Sequence, residues 1–364
     1  MATAEASILD ATRAALAGRG RVVLAVSGGM DSMTLLDAGR RVLGSEEIVV
    51  ATFDHGTGEA ATAAAALVES RAGDLALTCV VGRTSRRLRS EAELRDARWT
   101  FLRGVAERAG GPVVTAHNAD DQIETVLMRV MRGAGARGLA GLQAPNGPLR
   151  PFVELSRATI AGYARLHRLT WVDDPSNQSR VFFRNRVRHD LLPALRAADP
   201  ELPEDLITIA ERAAAWRRDV DAFVLENIPV RASNDGNSFE VPLLGVGNLP
   251  THQSILWPSI VARFGLTLDR RGIARLAAFA ASGRVGSRIQ LSGGWSVVRS
   301  RDNLTFSASS HVAPRSATID LSRQTRWGSW LFRPRAVGGA GSGWSSSLPS
   351  DAALIVRAWE PGDT

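Results

Sequence analysis

The chain has 364 residues, enough for two or three domains, and 44 basic against 37 acidic residues give a formal net charge of +7. No apolar run approaches the ~18 residues of a membrane span, and the N-terminus lacks the basic and apolar regions of a secretory signal, so we expect a cytoplasmic protein without a membrane partner. All 44 Lys/Arg-type basic residues are arginine, which excludes a nucleophilic lysine in this chain, and the single cysteine, Cys79, excludes an intramolecular disulfide. The basic excess favours a polyanionic partner.

The first predicted strand, residues 22–26, runs into a glycine motif that precedes a predicted helix at 33–43. The motif consists of Ser27, Gly28, Gly29, Met30, Asp31 and Ser32. Glycines permit close backbone approach, and turn amides with the free N–H groups of a helix start can bind a phosphate. Asp31 beside a phosphate indicates a divalent cation between them. A plain tight turn with a Ser or Asp helix cap is the alternative.

Apolar runs recur at 22–26, 48–53, 77–81 and 113–116, separated by helical patterns at 33–43, 60–71 and 90–109. This alternation predicts an α/β fold with a doubly wound parallel sheet, whose ligands bind beyond the carboxyl ends of the strands. Asp54 and His55 follow the second strand, where they could meet a nucleoside or form an ordinary turn. Helical patterns at 157–167, 204–225, 252–264 and 270–281, with short strands at 288–291, 296–298 and 303–306, predict a second, smaller α+β part.

The predicted helix after the fourth strand carries a polar set: His117, Asp120, Asp121, Glu124, Arg129 and Arg132. Asp121 and Glu124 are three residues apart and share a helix face, so they could grip a cation or an ammonium group. Acids at a helix start also serve as caps, which is the simpler interpretation. Arg129 and Arg132 lie on later turns, where they face either phosphates or solvent.

A third motif contains three alternating arginines, Arg184, Arg186 and Arg188. Arginine forks suit bidentate contact with phosphate, and a surface salt-bridged by Asp173, Asp174 and Asp190 is an equally supported interpretation. Two further arginines, Arg95 and Arg98, share a face of the 90–109 helix, and surface solvation is the interpretation given to them.

In order and spacing, these motifs resemble those of the bacterial tRNA(Ile)-lysidine synthetase family within the PP-loop ATP pyrophosphatases. The resemblance covers residues 20–195 well and 230–308 less specifically. It implies a PP-loop domain at 1–195, a linker helix at 196–230, a tRNA-binding domain at 231–310 and an incomplete C-terminal segment at 311–364, where 355–363 resembles the opening of the family's C-terminal domain. One departure is Thr57-Gly58, where the family usually continues Leu-Arg.

The resemblance implies that ATP adenylates the C2 oxygen of the wobble cytidine of tRNA(Ile) with a CAU anticodon, releasing pyrophosphate, and that free L-lysine then displaces AMP. ATP would contact Ser27 to Ser32, Asp54 and His117, with Mg²⁺ on Asp31. Asp121 and Glu124 would bind lysine. Catalysis would involve Asp31, Asp121, Glu124 and Arg188. The tRNA would contact Arg129, Arg132, Arg184, Arg186 and Arg188.

Alternatives remain open. A PP-loop tRNA thiolase would typically need cysteines for sulfur relay or an iron–sulfur cluster, and the single cysteine argues against it. A non-enzymatic RNA-binding module leaves the glycine motif and the acids unexplained. A homodimer is compatible with this interpretation, but the sequence fixes no oligomeric state.

Overall fold

The computed structural model describes residues 2–56, 58–84, 91–144, 147–233, 237–247, 250–308, 316–319, 324–327, 330–332 and 354–357. The chain divides into two compact units, Met1–Asp219 and Val220–Thr364. In the described ranges, no helix combines the length and the apolar character that crossing a bilayer requires.

The helices are α1 Ala2–Leu16, α2 Met30–Val42, α3 Glu59–Asp74, α4 Glu91–Ala109, α5 Ala119–Met131, α6 Ala136–Leu139, α7 Arg157–Leu166, α8 Phe183–Arg186, α9 Leu192–Ala198, α10 Leu202–Asn227, α11 Leu243–Val246, α12 Pro250–Ala262 and α13 Arg270–Ser282. A π-helical turn, Val187–Leu191, joins α8 to α9. The strands are β1 Val22–Ala25, β2 Ile48–Asp54, β3 Thr78–Arg83, β4 Val113–Val114, β5 Arg231–Ala232, β6 Ser238–Pro242, β7 Arg288–Gln290, β8 Trp295–Arg299, β9 Asn303–Ala308, β10 Ser316–Ile319, β11 Thr325–Trp327, β12 Trp330–Phe332 and β13 Leu354–Arg357.

The first unit is built on a parallel sheet with the strand order β3-β2-β1-β4. Val22 pairs with Ile48 and Leu24 with Val50, and a parallel bridge from Val114 to Leu149 extends the β4 edge. The predicted parallel α/β sheet is therefore confirmed. Its carboxyl ends carry the glycine motif after β1, His55 after β2 and His117 beyond β4.

Both faces of this sheet are covered, because side chains alternate along β1. Val22 and Leu24 pack in a core with residues of α1, α2, α3 and α7, whereas Val23 and Ala25 pack with Leu102 of α4. All four β1 side chains are buried. A strand that is buried on both faces has apolar residues at every position. The resulting continuous apolar run is the pattern that predicted β1.

The second unit contains an antiparallel sheet in the order β5-β6-β9-β8-β7. Phe239 on β6 stacks on Phe264, with ring centroids 3.9 Å apart, and on Phe306 at 4.5 Å. Trp257 of α12 is fully buried in the same core. This confirms the expected smaller α+β part.

The predicted domain boundaries stay predictions. The helix α10 fills most of the predicted linker, and the division between the two compact units falls inside it, after Asp219. In the predicted C-terminal segment, β13 pairs antiparallel with β10 and β11 with β12. Residue Thr57 and residues 358–363 lie outside the described ranges, so the Thr57 departure and most of the resemblance at 355–363 are not covered by the structure.

Candidate active site

The turn after β1 requires glycine at its second position. Gly28 has φ +84°, and a Cβ placed there would lie 2.8 Å from the Ala64 Cβ and carbonyl oxygen on α3. Its own carbonyl accepts a hydrogen bond from the Val172 amide at 3.0 Å. The left-handed conformation and the close contact with Ala64 leave no room for a side chain. The turn can therefore adopt this backbone conformation only with glycine at position 28.

Two hydroxyl groups brace this turn. The Ser32 hydroxyl accepts a hydrogen bond from the Ser27 amide at 3.1 Å, donates to the Gly29 carbonyl at 2.9 Å, and lies 3.2 Å from the Ser27 hydroxyl. Helix α2 begins at Met30, and its N-cap Gly29 supplies no side-chain cap. The first-turn amides of α2 therefore have no acceptor within the helix, which makes this helix start a site for an anion.

A cavity of about 250 Å³ opens beside the turn. Its lining includes Ser27, Gly29, Thr52, His55, Arg98 and Asp174. It therefore places the glycine turn, the end of β2 and helix α4 around one space, as expected for a ligand site at the carboxyl ends of parallel strands.

Arg98 is a site residue that the sequence interpretation missed. Its side chain lines the cavity, and within the described ranges its guanidinium makes no hydrogen bond or ion pair. Burial lowers the pKa of Arg98, and neighbouring Arg95 lowers it further. The available signal was the spacing to Leu102 and Val105, both buried against the sheet, since residues at i, i+4 and i+7 share a helix face. Arg98 is thus a cation at the cavity, and the described residues provide it with no carboxylate partner.

Asp54 and His55, at the end of β2, are placed differently from each other. Both oxygens of the buried Asp54 carboxylate are used within the chain, by the Gly56 amide at 2.8 Å and by Thr62 and Arg83 at 3.1 Å. Burial opposes ionisation, but these hydrogen bonds outweigh it and lower the pKa of Asp54. His55 lines the cavity instead. The ATP contact predicted for Asp54 stays a prediction, and its hydrogen bonds do not support it.

Asp31 lies in the first turn of α2 with one carboxylate oxygen unused. Oδ2 accepts a hydrogen bond from the Asn118 side-chain amide at 3.1 Å, while Oδ1 is buried without a partner in the described structure. Burial raises the pKa of Asp31 to about 6, with Arg157 lowering it and Asp121 raising it. A buried oxygen without a donor, next to the glycine turn and the start of α2, is suited to a cation.

The donor set fits Mg²⁺ rather than a metal held by protein ligands alone. Among the described residues, no group of three or more His, Cys, Asp or Glu side chains could hold a metal ion. Mg²⁺ usually keeps several waters and takes one or two carboxylates together with substrate phosphates. The unused Asp31 oxygen beside the phosphate turn matches that pattern.

His117 follows β4 and is neutral at physiological pH. Burial lowers its pKa to about 3, and the charges of Arg150 and Arg184 add to the effect. Its Nδ1 lies 2.8 Å from the hydroxyl of buried Thr115, which fixes the ring orientation. A neutral imidazole in this position can hydrogen-bond a polar ligand without adding charge to the site.

The predicted acid pair and two of the predicted arginines form one cluster. Arg184 donates to Glu124 Oε2 and Asp121 Oδ1, both at 2.7 Å, and Arg188 donates to Glu124 Oε1 at 2.5 Å and Oε2 at 3.0 Å and to Asp121 Oδ1 at 3.1 Å. Asn118 caps α5 in a reciprocal pair with Asp121. The same Asn118 contacts Asp31, so it joins this cluster to the phosphate turn.

The alternation of the arginines has a helical explanation. Since 184–188 lies in α8 and the π-helical turn, Arg184 and Arg188 reach the same acids while Arg186 faces elsewhere. Arg186 and Arg132 are both exposed and lie 5.5 Å from the Phe183 ring centroid. The acid partners of Arg184 and Arg188 are thus Asp121 and Glu124, not Asp173, Asp174 or Asp190 as the salt-bridge alternative expected.

Two other residues of the predicted polar set, Arg129 and Asp120, have contacts within the fold. Arg129 donates to the Gly138 carbonyl, which ties α5 to α6. Asp120 accepts from the Arg157 amide at 2.9 Å and lies 3.3 Å from Arg196. These contacts join α5 to the start of α7 and to α9, so they support the site without entering it.

Known proteins match this chain in the same region. A family model described as the PP-loop domain matches residues 2–195, more than half of the chain. The tRNA(Ile)-lysidine synthase of Burkholderia mallei is 36% identical over 212 residues, 55% of this chain and 43% of that protein. The tRNA(Ile)-lysidine synthase of Leifsonia xyli subsp. xyli is 34% identical over 304 residues, 78% of this chain and 89% of that protein.

Coverage differs among the relatives. The chain spans less than half the length of the Burkholderia mallei and Pseudomonas fluorescens relatives, 43% and 47% respectively. Among solved structures, a U34-tRNA thiolase from Methanococcus maripaludis aligns at 16% identity with a TM-score of 0.49, over 59% of this chain and 80% of that chain, a likeness too low to bear on the chemistry. On the matched PP-loop domain and the Leifsonia xyli relative, the chain belongs to the tRNA(Ile)-lysidine synthase family of PP-loop proteins.

Proposed function

We propose that this chain ligates free L-lysine to C2 of the wobble cytidine, position 34, in tRNA(Ile) with a CAU anticodon, using ATP and forming lysidine, AMP and pyrophosphate. The observation that carries the proposal is Asn118, which contacts Asp31 and caps the helix of Asp121. It brings an ATP-type phosphate site and a paired-acid site together. Membership of the lysidine synthase family supports the same pairing of nucleotide and amino acid.

The glycine turn and the start of α2 bind the ATP phosphates in this proposal, and the 250 Å³ cavity receives the rest of the nucleotide. A pyrimidine oxygen is a poor leaving group until it carries a phosphate, so adenylation must precede attack by lysine. Arg98, which lines the cavity, contacts the negative charge of the phosphates or of the adenylated base. Asp31 would hold Mg²⁺, which would supply positive charge to offset the charge of the leaving pyrophosphate.

Asp121 and Glu124 recognise the ammonium group of lysine, because a cationic substrate needs carboxylates and Glu124 is held in a buried position. His117 stays uncharged and orients a polar group of the substrate by hydrogen bonding. The target base leaves its stack to enter the site, which an unpaired anticodon loop permits at low cost. Exposed Arg132 and Arg186 hold the loop backbone, whereas Arg129 supports the fold.

The proposed surroundings follow from the chemistry. Mg²⁺ accompanies ATP, the partner is tRNA(Ile), and the reaction takes place in the cytoplasm, where free lysine, ATP and tRNA meet. Assembly as a homodimer stays a prediction.

The test is a pyrophosphate-release assay with ATP, Mg²⁺, L-lysine and a tRNA(Ile) transcript that carries a CAU anticodon. We expect release to need both lysine and this tRNA, and mass spectrometry of the wobble nucleoside to show lysidine. A transcript of tRNA(Met) with the same anticodon triplet is the matched control. Equal release without lysine, with no lysidine formed, would contradict the proposal.

An Asp31→Ala variant separates catalysis from RNA binding. We expect it to lose turnover by at least ~100-fold, because a phosphate-directed charge contact of this kind is worth two to three decades in rate. Binding of tRNA, measured by filter retention, should persist because Asp31 lies at the nucleotide site. Loss of both properties would indicate that Asp31 serves folding.

A further inference from the structure

The carboxylates proposed to receive lysine are already occupied by cations of the same chain. Each of the four oxygens of Asp121 and Glu124 accepts at least one hydrogen bond. Five of these six bonds come from Arg184 and Arg188, at 2.5–3.1 Å, and the sixth comes from the Asn118 amide. A lysine ammonium would have to share acceptors that guanidinium groups hold in bidentate geometry.

Burial places the arginines outside the acids. The Glu124 side chain is 2% exposed and that of Asp121 14%, whereas Arg184 is 28% and Arg188 25% exposed. Two guanidinium charges balance two carboxylate charges, so the cluster is neutral as it stands. An added ammonium would be a third, uncompensated cation in a partly desolvated place. Departure of one arginine leaves one net negative charge, which matches one ammonium group.

A departing arginine needs another anion. The guanidinium fork suits phosphate, and the proposed phosphate turn is nearby, since Asn118 hydrogen-bonds both Asp121 and Asp31. The segment that carries both arginines includes the π-helical turn Val187–Leu191, and π-helical turns occur frequently at functional sites. Phosphate can therefore compete for these arginines within the same site.

We propose that Arg184 and Arg188 gate the amino-acid site: they cover Asp121 and Glu124 until a phosphate group of a co-substrate draws at least one arginine away. The phosphate belongs either to the nucleotide or to the RNA. Both arginines are positioning residues in this scheme, and the scheme rests on the proposed function. Lysine consequently binds after a phosphate-bearing co-substrate rather than before it.

Equilibrium dialysis with radiolabelled L-lysine tests the gate on the unmodified full chain. Lysine is offered alone, with Mg²⁺ and a non-hydrolysable ATP analogue, with the tRNA(Ile) transcript, and with both. We expect the Kd for lysine to fall at least tenfold in the arm that supplies the relevant phosphate, and that arm identifies its source. Equal lysine affinity in all four arms would overturn the gate.

Variants extend the test. Arg184→Gln should bind lysine without any co-substrate at least tenfold more tightly than the unmodified chain, because one carboxylate charge is then unmatched. Arg180→Gln is the matched control, since Arg180 lies four residues before Arg184 but pairs with Asp190 at 3.0 Å instead of the acid pair. If the glutamine variant does not fold, Arg184→Lys, which keeps the charge, takes its place. Its Kd for lysine should depend less on the phosphate-bearing co-substrate than that of the unmodified chain. An Arg184→Gln that folds and binds lysine no better than Arg180→Gln would also overturn the gate.

The same preparation is assayed for lysidine, so that the two proposals fail separately. Lysidine formation together with lysine binding that ignores phosphate rejects the gate and keeps the function. Phosphate-dependent lysine binding without lysidine formation supports the gate and rejects the reaction. Absence of lysine binding in every arm, without lysidine, rejects both.

Discussion

At the scale of single residues, the site stores unfavourable electrostatics that a ligand can relieve. Asp31 is the clearest case, since burial raises its pKa from the ordinary 3.8 to about 6. A raised carboxyl pKa means that the folded protein prefers the protonated form. Protonation of Asp31 therefore contributes to the free energy of unfolding. This contribution is complete below 3.8, the pKa of the group in the unfolded chain, and is lost as pH rises through about 6. At neutral pH the charged carboxylate therefore destabilises the fold until a cation binds.

Substituting Asp31→Asn should consequently stabilise the metal-free protein at high pH. At ~1.4 kcal/mol per pKa unit, the gain in unfolding free energy is up to about 3 kcal/mol at pH 8 and close to zero at pH 4. Urea unfolding at both pH values measures this gain. The control is Asp10→Asn, at an exposed position of α1. Stabilisation that is equal at both pH values would show that ionisation of Asp31 is not its source.

A second prediction concerns the two glycines of the turn. Gly28→Ala should destabilise the protein by about 1–3 kcal/mol and abolish nucleotide binding, because the left-handed backbone and the contact with Ala64 leave no place for a Cβ. Gly29→Ala is the matched control, since its φ is −79° and a Cβ would meet only the Ser27 hydroxyl at 3.9 Å. Urea unfolding measures the stability of both variants. Similar losses in the two would contradict the view that only Gly28 requires a glycine.

At the scale of elements, two helix starts are joined by one side chain. Asn118 caps α5, which is ordinary N-cap chemistry, and its amide also donates to Asp31 at the start of α2. The relative placement of the phosphate turn and the acid pair thus depends on a hydrogen bond between neighbouring helix termini.

Replacing Asn118 with two different residues separates these roles. Asn118→Ala should lower the unfolding free energy by about 1 kcal/mol, the usual effect of losing an N-cap, whereas Asn118→Ser keeps a capping oxygen and should lower it less. Both variants lose the side-chain amide group that donates to Asp31, and the shorter serine side chain does not replace its reach, so both should lose pyrophosphate release. Stability comes from urea unfolding and turnover from the pyrophosphate assay. Full activity in the Ser variant would show that the Asp31 contact is dispensable.

The elements also show what the sequence could and could not predict. The strand ends, the glycine turn and the helix of Asp121 and Glu124 follow from local patterns, so the fold of the first unit was predictable, whereas the phosphate site at the turn stays a prediction. The partners of Arg184 and Arg188 were not, because their alternation admitted an extended segment, whereas in the helical segment they share a face and reach acids some sixty positions away. Arg98 was misjudged because charge suggested solvent, although its helix face is apolar.

At the scale of the whole molecule, a chain with net charge +7 and only arginine as its basic residue is suited to a polyanion. The structure separates two kinds of arginine in the first unit. Arg184 and Arg188 are neutralised by Asp121 and Glu124, whereas Arg132 and Arg186 share the Phe183 ring and are exposed. The exposed pair is the better candidate for RNA phosphates.

Binding of tRNA should therefore depend steeply on salt. Arg132→Ala and Arg186→Ala should each weaken binding and reduce the slope of log K against log salt by about one. Filter binding between about 50 and 200 mM salt measures the slope. Arg13→Ala, at an exposed pair with Asp10, is the control and should leave it unchanged. An unchanged slope in the Arg132 and Arg186 variants would place the RNA elsewhere.

The arginine-covered acid pair also changes how the site meets the cellular pool of amino acids. A tethered guanidinium competes with free ligands at an effective concentration that short linkages bring to the millimolar range or above. For free arginine, ornithine and lysine, this competition would raise the apparent Kd by the same factor, whatever their intrinsic affinity. Discrimination among these amino acids is then exercised only after a co-substrate has bound, at the stage when the chosen amine can react.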